Sequence, residues 1–170
     1  TASSNHRGFT LIELIVTVSI LAIVAAIAVP GFQGLIQSNR VATETNSFIS
    51  AIKLARSEAV KQGRPVTIEE DDVGSGFGSG WCVYESSTGT DCDSATTIRE
   101  FGAPSGIIFD GNSDTYFQFD RQGRLKDSSS SSNSGTVNIE PENCNGAEDK
   151  RREVTINATG RPSVNKMDCN

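Results

Sequence analysis

The sequence is short of histidine: His6 is the only one in 170 residues. Without a second imidazole, a Ser/His/Asp or Cys/His hydrolase and a zinc site of the usual His/Cys type both lose their central ligand or base. The four cysteines, Cys82, Cys92, Cys144 and Cys169, form no C-x-x-C pair, which removes the metal ribbon and the thioredoxin motif. A surplus of positive charge is missing as well. Lys and Arg number 15 against 21 Asp and Glu, for a formal net charge of -6, so the chain as a whole is a poor generic polyanion binder. The glycines of 74–80 do not fit G-x-G-x-x-G, and no Gly-Lys-Ser/Thr follows them. No nucleophile, base and orienter can be assembled from the motifs present, so no enzyme, metal or cofactor is expected.

What is present is distributed unevenly. From Phe9 to Phe32 the chain reads FTLIELIVTVSILAIVAAIAVPGF, with Glu13 as the only charged side chain. As a helix this run spans roughly 36 Å, enough for a hydrocarbon core of about 30 Å. A cleaved secretory signal would have a shorter apolar stretch followed by small residues, whereas here the run is long and the small residue, Gly8, precedes it. Composition alone supports a plain anchor. Glu13 does not fit that description, because a carboxylate in a membrane helix costs about 2.5–3.5 kcal/mol on insertion scales and calls for a partner or a route to the membrane surface.

After Pro30-Gly31 the apolar residues narrow to a stripe through Phe48, Ile49, Ile52, Ala55 and Ala59, with Asn46, Ser50, Lys53 and Ser57 on other faces. That spacing predicts one amphipathic helix, continuous with the anchor from Phe9 to Gln62, kinked near Pro30 and stopped at Gly63-Arg64-Pro65. Beyond it, short β-favouring segments alternate with turns: Val66–Glu69, Trp81–Tyr84, Thr97–Phe101, Ile107–Phe109, Tyr116–Phe119, Val137–Ile139 and Val154–Ile156. The expected class is α+β: a long N-terminal helix, transmembrane in its first half and amphipathic in its second, packed on an antiparallel β-sheet head.

The string Arg7-Gly8-Phe9-Thr10-Leu11-Ile12-Glu13-Leu14 resembles the class III signal of type IV pilins and type II secretion pseudopilins, and Pro30 stands where that family commonly has a kinking proline. The resemblance implies residues 1–8 as a leader, cleavage between Gly8 and Phe9 by a prepilin peptidase, and N-methylation of Phe9. It further implies 9–32 as transmembrane and filament-core helix, 33–63 as its amphipathic continuation, and 64–170 as the head. Glu13 would pair with the freed amine of a neighbouring subunit. Ala55-Arg56-Ser57-Glu58-Ala59-Val60, Gly80-Trp81, Phe119 to Gly123-Arg124, and Asn157-Ala158-Thr159-Gly160-Arg161 are similar to the minor-pilin branch GspH/FimT, FimU-like pilins included. For that branch the implied role is initiation of pilus assembly, at or near a tip complex, with twitching motility and adhesion as its outcome. The implied partners are other minor and major pilins and an inner-membrane assembly platform. A minor pseudopilin of type II secretion follows the same physical logic.

Four cysteines allow three pairings. Cys82 with Cys92 and Cys144 with Cys169 is one of them, and any of the three needs an oxidising compartment, which suits a periplasmic and later extracellular head. Asp110-Gly111-Asn112-Ser113-Asp114 begins like a calcium loop, but Thr115 and Arg121 occupy the positions that need Gly and Glu. Glu69-Glu70-Asp71-Asp72 reads as a solvated charge run, and Ser128–Ser132 as a surface loop. Between 150 and 166, Lys150, Arg151, Arg152, Arg161 and Lys166 oppose only Glu153. FimT-type relatives bind DNA through a C-terminal Gly-Arg-x-Arg element. Here that element reads Gly160-Arg161-Pro162-Ser163, without its second arginine, so contact of Arg151, Arg152, Arg161 and Lys166 with an acidic partner is the preferred reading over DNA.

Overall fold

A computed structural model describes residues 9–72, 76–86, 92, 96–111, 114–128, 134–144 and 150–169. Gly8, the centre of the 110–114 run and most of the 128–135 serine loop lie outside them. One helix, α1, spans Leu11–Gln62, and the chain divides into two compact units, Thr1–Ile36 and Gln37–Asn170.

In the first unit α1 is apolar on every side. Large side chains from Leu11 to Ile36 are half or more exposed, and the helix is long and apolar enough to cross a membrane. Its wealth of Ile and Val makes it a mediocre helix former in water. In hydrocarbon the choice is forced, since only a helix satisfies every backbone N–H and C=O within one segment. The hydroxyls on this stretch obey the same rule: Thr17 Oγ1 donates to the Leu14 carbonyl at 2.9 Å and Ser19 Oγ to the Ile15 carbonyl at 2.8 Å. The backbone of Pro30 lies inside α1.

In the second unit α1 buries a stripe: Val41, Thr45, Phe48, Ala51, Ile52, Ala55 and Ala59. Thr45 is tolerated there because its Oγ1 donates to the Val41 carbonyl at 2.6 Å. Among the described residues, nine strands form two sheets, and both sheets pack against the stripe. The first sheet holds β1 (Val66–Glu70), β2 (Gly80–Glu85), β3 (Thr97–Gly102), β5 (Tyr116–Phe119) and β6 (Leu125–Ser128), in the order β3-β2-β1-β5-β6. The second holds β4 (Ile107–Gly111), β7 (Gly135–Pro141), β8 (Arg151–Ile156) and β9 (Pro162–Met167), in the order β4-β7-β8-β9. Every pairing is antiparallel. Both sheets and α1 contribute to one apolar cluster. At its centre the Phe48 ring meets Phe77 at 5.0 Å, Trp81 at 5.5 Å and Phe109 at 5.7 Å, edge to face in each case, so one helical side chain touches both sheets.

All seven segments expected from the sequence are strands. Two further strands, β6 and β9, were not foreseen. Each is one of the two outer strands of its sheet. Leu125 is the one large apolar residue of β6, and β9 is exposed at every position from Ser163 to Met167, so neither carries the alternation that burial on one face produces. The helix begins at Leu11, two residues later than expected, for a reason given by Thr10 below.

The β5–β6 and β8–β9 turns have one geometry. In Asp120-Arg121-Gln122-Gly123-Arg124, the Asp120 Oδ1 accepts the amides of Gln122 and Arg124, each at 2.9 Å; in Asn157-Ala158-Thr159-Gly160-Arg161, the Asn157 Oδ1 accepts those of Thr159 at 3.0 Å and Arg161 at 3.1 Å. Gly123 and Gly160 both have φ of 73°, a backbone region that L side chains resist. The turns also meet each other: a Cβ on Gly160 would stand 2.3 Å from the Gly123 carbonyl oxygen and 3.2 Å from the Phe119 ring. Gly160→Ala is therefore expected to destabilise the protein by about 2–4 kcal/mol in chemical denaturation, from combined strain and clash. A loss of less than about 0.5 kcal/mol would show that the junction is loose.

Candidate functional site

At the start of α1, Thr10 and Glu13 bond reciprocally. The Thr10 amide and Oγ1 both donate to Glu13 Oε2 at 2.9 Å, and the Glu13 amide donates to Thr10 Oγ1 at 3.3 Å. With Leu11 as the first helical residue, Thr10 is the N-cap and Glu13 the third residue, which is a capping box. This cap explains the start at Leu11. The Thr-x-x-Glu spacing signals it in the sequence, where Glu13 reads only as an unpaired charge. One carboxylate oxygen is thereby engaged, and Oε1 has no hydrogen bond among the described residues. The site is a single negative charge held at the mouth of an apolar helix, suited to an amine or another cation. Beside it, Phe9 is 89% exposed.

The head is fastened by two disulfides. Cys82 in β2 joins Cys92 with Cα atoms 5.5 Å apart, and Cys144, after β7, joins Cys169, beyond β9, at 5.3 Å. Closing loops of 10 and 25 residues stabilises the fold by about 3 kcal/mol each in the chain-entropy picture.

The four cations singled out in the tail do not all share one face. Arg151 and Arg152 are neighbours on β8 and point to opposite faces. The Arg151 Nε lies 3.6 Å from Glu140 Oε2 with its side chain 14% exposed, while Arg152 is buried and donates to the Arg151 carbonyl at 3.0 Å. Lys166 is exposed opposite Arg152 on β9, and Arg161 is exposed in the β8–β9 turn. Strand alternation, invisible to a count of charges, turns Arg151 away from Arg152, whereas Arg152 and Lys166 are cross-strand partners on one face.

A different cationic group does assemble, around the β5–β6 turn and the last turns of α1. The Arg56 Nε donates to the Gly123 carbonyl at 2.8 Å across 67 residues of sequence. Arg124 pairs with Asp120 at 2.9 Å, and Arg64 pairs with Glu85. A groove of about 440 Å³ here is lined by Gly63, Pro65, Asp120, Arg121, Gln122, Arg124 and Lys126. No local pattern reports the Arg56 contact. The repeated Asp/Asn-x-x-Gly-Arg of the two turns is a signal that points to this region.

Partial burial works to raise the Asp120 carboxyl, but the amide and guanidinium of Arg124 and the amide of Gln122 outweigh it, leaving Asp120 below the ordinary aspartate value.

An apolar helix opened by a capped glutamate, joined to a head of two antiparallel sheets packed on a single helix, defines the class of type IV pilins and pseudopilins. The prokaryotic N-terminal methylation motif matches residues 3–29. The chain belongs to the GspH family, whose model, described as type II transport protein GspH, matches residues 44–160. The chain is similar to the type IV minor pilin FimU of Pseudomonas aeruginosa, with a TM-score of 0.58 and 23% identity over 79% of this chain and 92% of that one. It is also similar to the minor pseudopilin EpsH of the Vibrio cholerae type 2 secretion system, with a TM-score of 0.53 and 14% identity over 75% and 97%. At these identities the likeness shows the fold. Among sequence relatives, a fimbrial protein of Pseudomonas aeruginosa is 42% identical over 61 residues, which are 36% of this chain and 39% of that protein. The type IV major alpha-pilin of Moraxella bovis is 34% identical over 83 residues, 49% and 52% of the two. The chain thus spans about half or less of these curated relatives.

Because Asp120 is depressed in the folded state, its contribution is present above the ordinary aspartate range and is lost as pH falls through the lowered value. Asp120→Asn keeps an acceptor, as Asn157 does in the twin turn, and removes only the charge. It is expected to cost about 0.5–1 kcal/mol at neutral pH and less as the pH falls below the ordinary aspartate range, measured by denaturant titration at neutral and at acid pH. Equal losses at the two pH values would assign the effect to packing.

Proposed function

We propose that this chain is a minor type IV pilin. It is cut between Gly8 and Phe9, N-methylated on Phe9, held in the inner membrane as a single pass by residues 9–32 with a periplasmic head, and then built into an extracellular pilus. There it takes part in starting assembly, in a tip complex with other minor and major pilins, after contact with the prepilin peptidase and the inner-membrane platform. Twitching motility and adhesion follow from the filament. Its work is assembly and not catalysis, in keeping with relatives that are structural pilins.

The observation that carries this reading is Glu13. In the apolar run, the hydroxyls of Thr17 and Ser19 donate to the helix's own carbonyls, and the Glu13 carboxylate is the one charged group among the described residues, with only Oε2 hydrogen-bonded. Removing the leader would create an amine four residues from it. A neighbour's amine would neutralise the charge as the helices leave the bilayer for a filament core.

The second reading is a minor pseudopilin of type II secretion, favoured by the GspH family description and by the fold likeness to EpsH. A pull-down of the full chain against both filament sets separates the two: recovery of a pilus tip set supports the pilin, and recovery of secretion pseudopilins alone moves the assignment.

The assembly role itself is tested at Glu13. Glu13→Gln keeps the capping acceptor and loses the charge, whereas Glu13→Ala loses both. Both variants are expected to insert and be processed normally and to enter sheared filaments at least about tenfold less than the parent. Normal incorporation of Glu13→Gln would show that the charge is not what assembly uses.

A further inference from the structure

The sheet faces that look away from the core differ between the two sheets. On the first, the polar side chains satisfy one another: Tyr84 Oη donates to Glu69, Gln118 Nε2 donates to Thr67 Oγ1 at 3.4 Å, and Thr67 and Ser86 share a hydroxyl–hydroxyl bond. On the second they do not. Along β7 and β8 the core takes Val137, Ile139, Val154 and Ile156. Strand alternation then puts Thr136, Asn138, Glu140, Arg151, Glu153 and Thr155 on the other side, every one of them half-buried.

Thr136 lies opposite Thr155, Asn138 opposite Glu153, and Glu140 beside Arg151. These side chains form a grid two strands wide, about 5 Å, and three positions long, about 14 Å. Its internal bonding is sparse. The Arg151 to Glu140 ion pair is loose at 3.6 Å, and Glu153 Oε1 accepts Asn165 Nδ2 of β9 at 3.4 Å. Asn138 Oδ1 and Arg151 Nε are buried with no hydrogen bond among the described residues. Buried polar groups are nearly always bonded, so two such atoms on neighbouring strands of one face point to a ligand that supplies the missing partners.

We propose that this outer face of the second sheet is a binding site for a neutral carbohydrate. The grid carries one cation, Arg151, and two anions, Glu140 and Glu153, so it does not attract a polyanion. Nor has it the aromatic or apolar centre on which protein interfaces depend. It offers donors and acceptors side by side: the Asn138 amide supplies both, Arg151 donates, the glutamates accept, and the threonines do either. A sugar hydroxyl donates and accepts at once, and adjacent hydroxyls on one ring call for such a mixed array. Ile108, opposite Glu140, and Met167, opposite Arg151, are 41% and 39% exposed at the two edges of the grid and give the C–H face of a sugar ring an apolar rest. The inference rests on the head alone and does not depend on whether the filament is a pilus or a secretion pseudopilus.

The test uses the full chain in a zwitterionic detergent that carries no sugar, titrated with neutral oligosaccharides of glucose, galactose, mannose and N-acetylglucosamine. Binding is read from the asparagine side-chain amide signals, Asn138 and Asn165 both lying on the face. At least one oligosaccharide is expected to bind with a dissociation constant of about 1 mM, with little change between low and high salt. Asn138→Ala is expected to weaken that binding at least about tenfold while leaving the denaturation midpoint equal or higher, because it removes a buried acceptor that has no partner among the described residues. Arg151→Lys keeps the charge beside Glu140, loses the planar fork, and is expected to weaken binding about tenfold as well. Gln118→Ala, on the other sheet, is expected to leave it unchanged. Absence of binding at about 20 mM of every oligosaccharide overturns the proposal, as does binding that survives Asn138→Ala. Unfolding of the head by Asn138→Ala also overturns it, by making the amide structural. So does an Asn138 signal that responds only to a sulfated polysaccharide or to protein concentration, which would assign the face to a polyanion or to a second copy.

Discussion

The carbonyl oxygen of Gly123 is the point on which the head closes. It accepts the Arg56 guanidinium from α1, and Gly160 from the other sheet presses against it so closely that a methyl group would not fit. The Leu125 amide, just beyond, donates to the Ala158 carbonyl of the twin turn at 3.2 Å. Helix, first sheet and second sheet thus share a few atoms at one end, while Phe48 joins the same three layers in the middle by apolar contact. A two-sheet head on one helix has a weak point at the seam between the sheets. Here the seam is held by polar contacts where the turns leave the core and by aromatic packing where water is excluded.

The two halves of α1 solve different problems with the same backbone. From Leu11 to Ile36 the surroundings must supply the apolar contacts, and the chain answers by consuming its own polar groups: Thr17 and Ser19 bond to preceding carbonyls and Thr10 caps the first turn. From Gln37 the helix meets its own sheets, and alanines at 51, 55 and 59 admit the strands on the face that Phe48 and Ile52 anchor. The disulfides belong to the second problem. Cys82–Cys92 lies within 4 Å of the carbonyls of Glu69 and Glu70, at the end of β1 remote from Gly123, so the head is secured at both ends of its central strand.

Much of this was legible from sequence because it is written in periodicity. The apolar run, the stripe from Phe48 to Ala59, the Gly63 stop and seven strands all follow from burial, which imposes a repeat of 3.6 or 2 on residue type. What burial does not impose was not seen. β6 and β9 are outer strands with one or no buried large side chain facing the core, so their composition is that of loops. The Arg56 to Gly123 bond joins residues 67 apart and leaves no trace in either neighbourhood. The basic tail shows the converse: Arg151 and Arg152 add as charges in a count and diverge as side chains on a strand. Thr10 is an omission with a readable signal, since Thr-x-x-Glu before an apolar run is a capping box, and the Asp/Asn-x-x-Gly-Arg repeated in the two turns is another such signal.

The capped glutamate has a consequence for how such helices recognise one another. A rod whose surface is Leu, Ile, Val and Ala, with the hydroxyls of Thr17 and Ser19 turned onto its own carbonyls, presents nearly the same face at each turn. Parallel rods of this kind can slide by about 5.4 Å, one helical pitch, and exchange one set of contacts for an equivalent set. A lone carboxylate, held in place by Thr10 and not free to follow solvent, breaks that degeneracy. In the filament proposed above it would act as an index mark, singling out one axial position among many that packing alone would leave equal in energy.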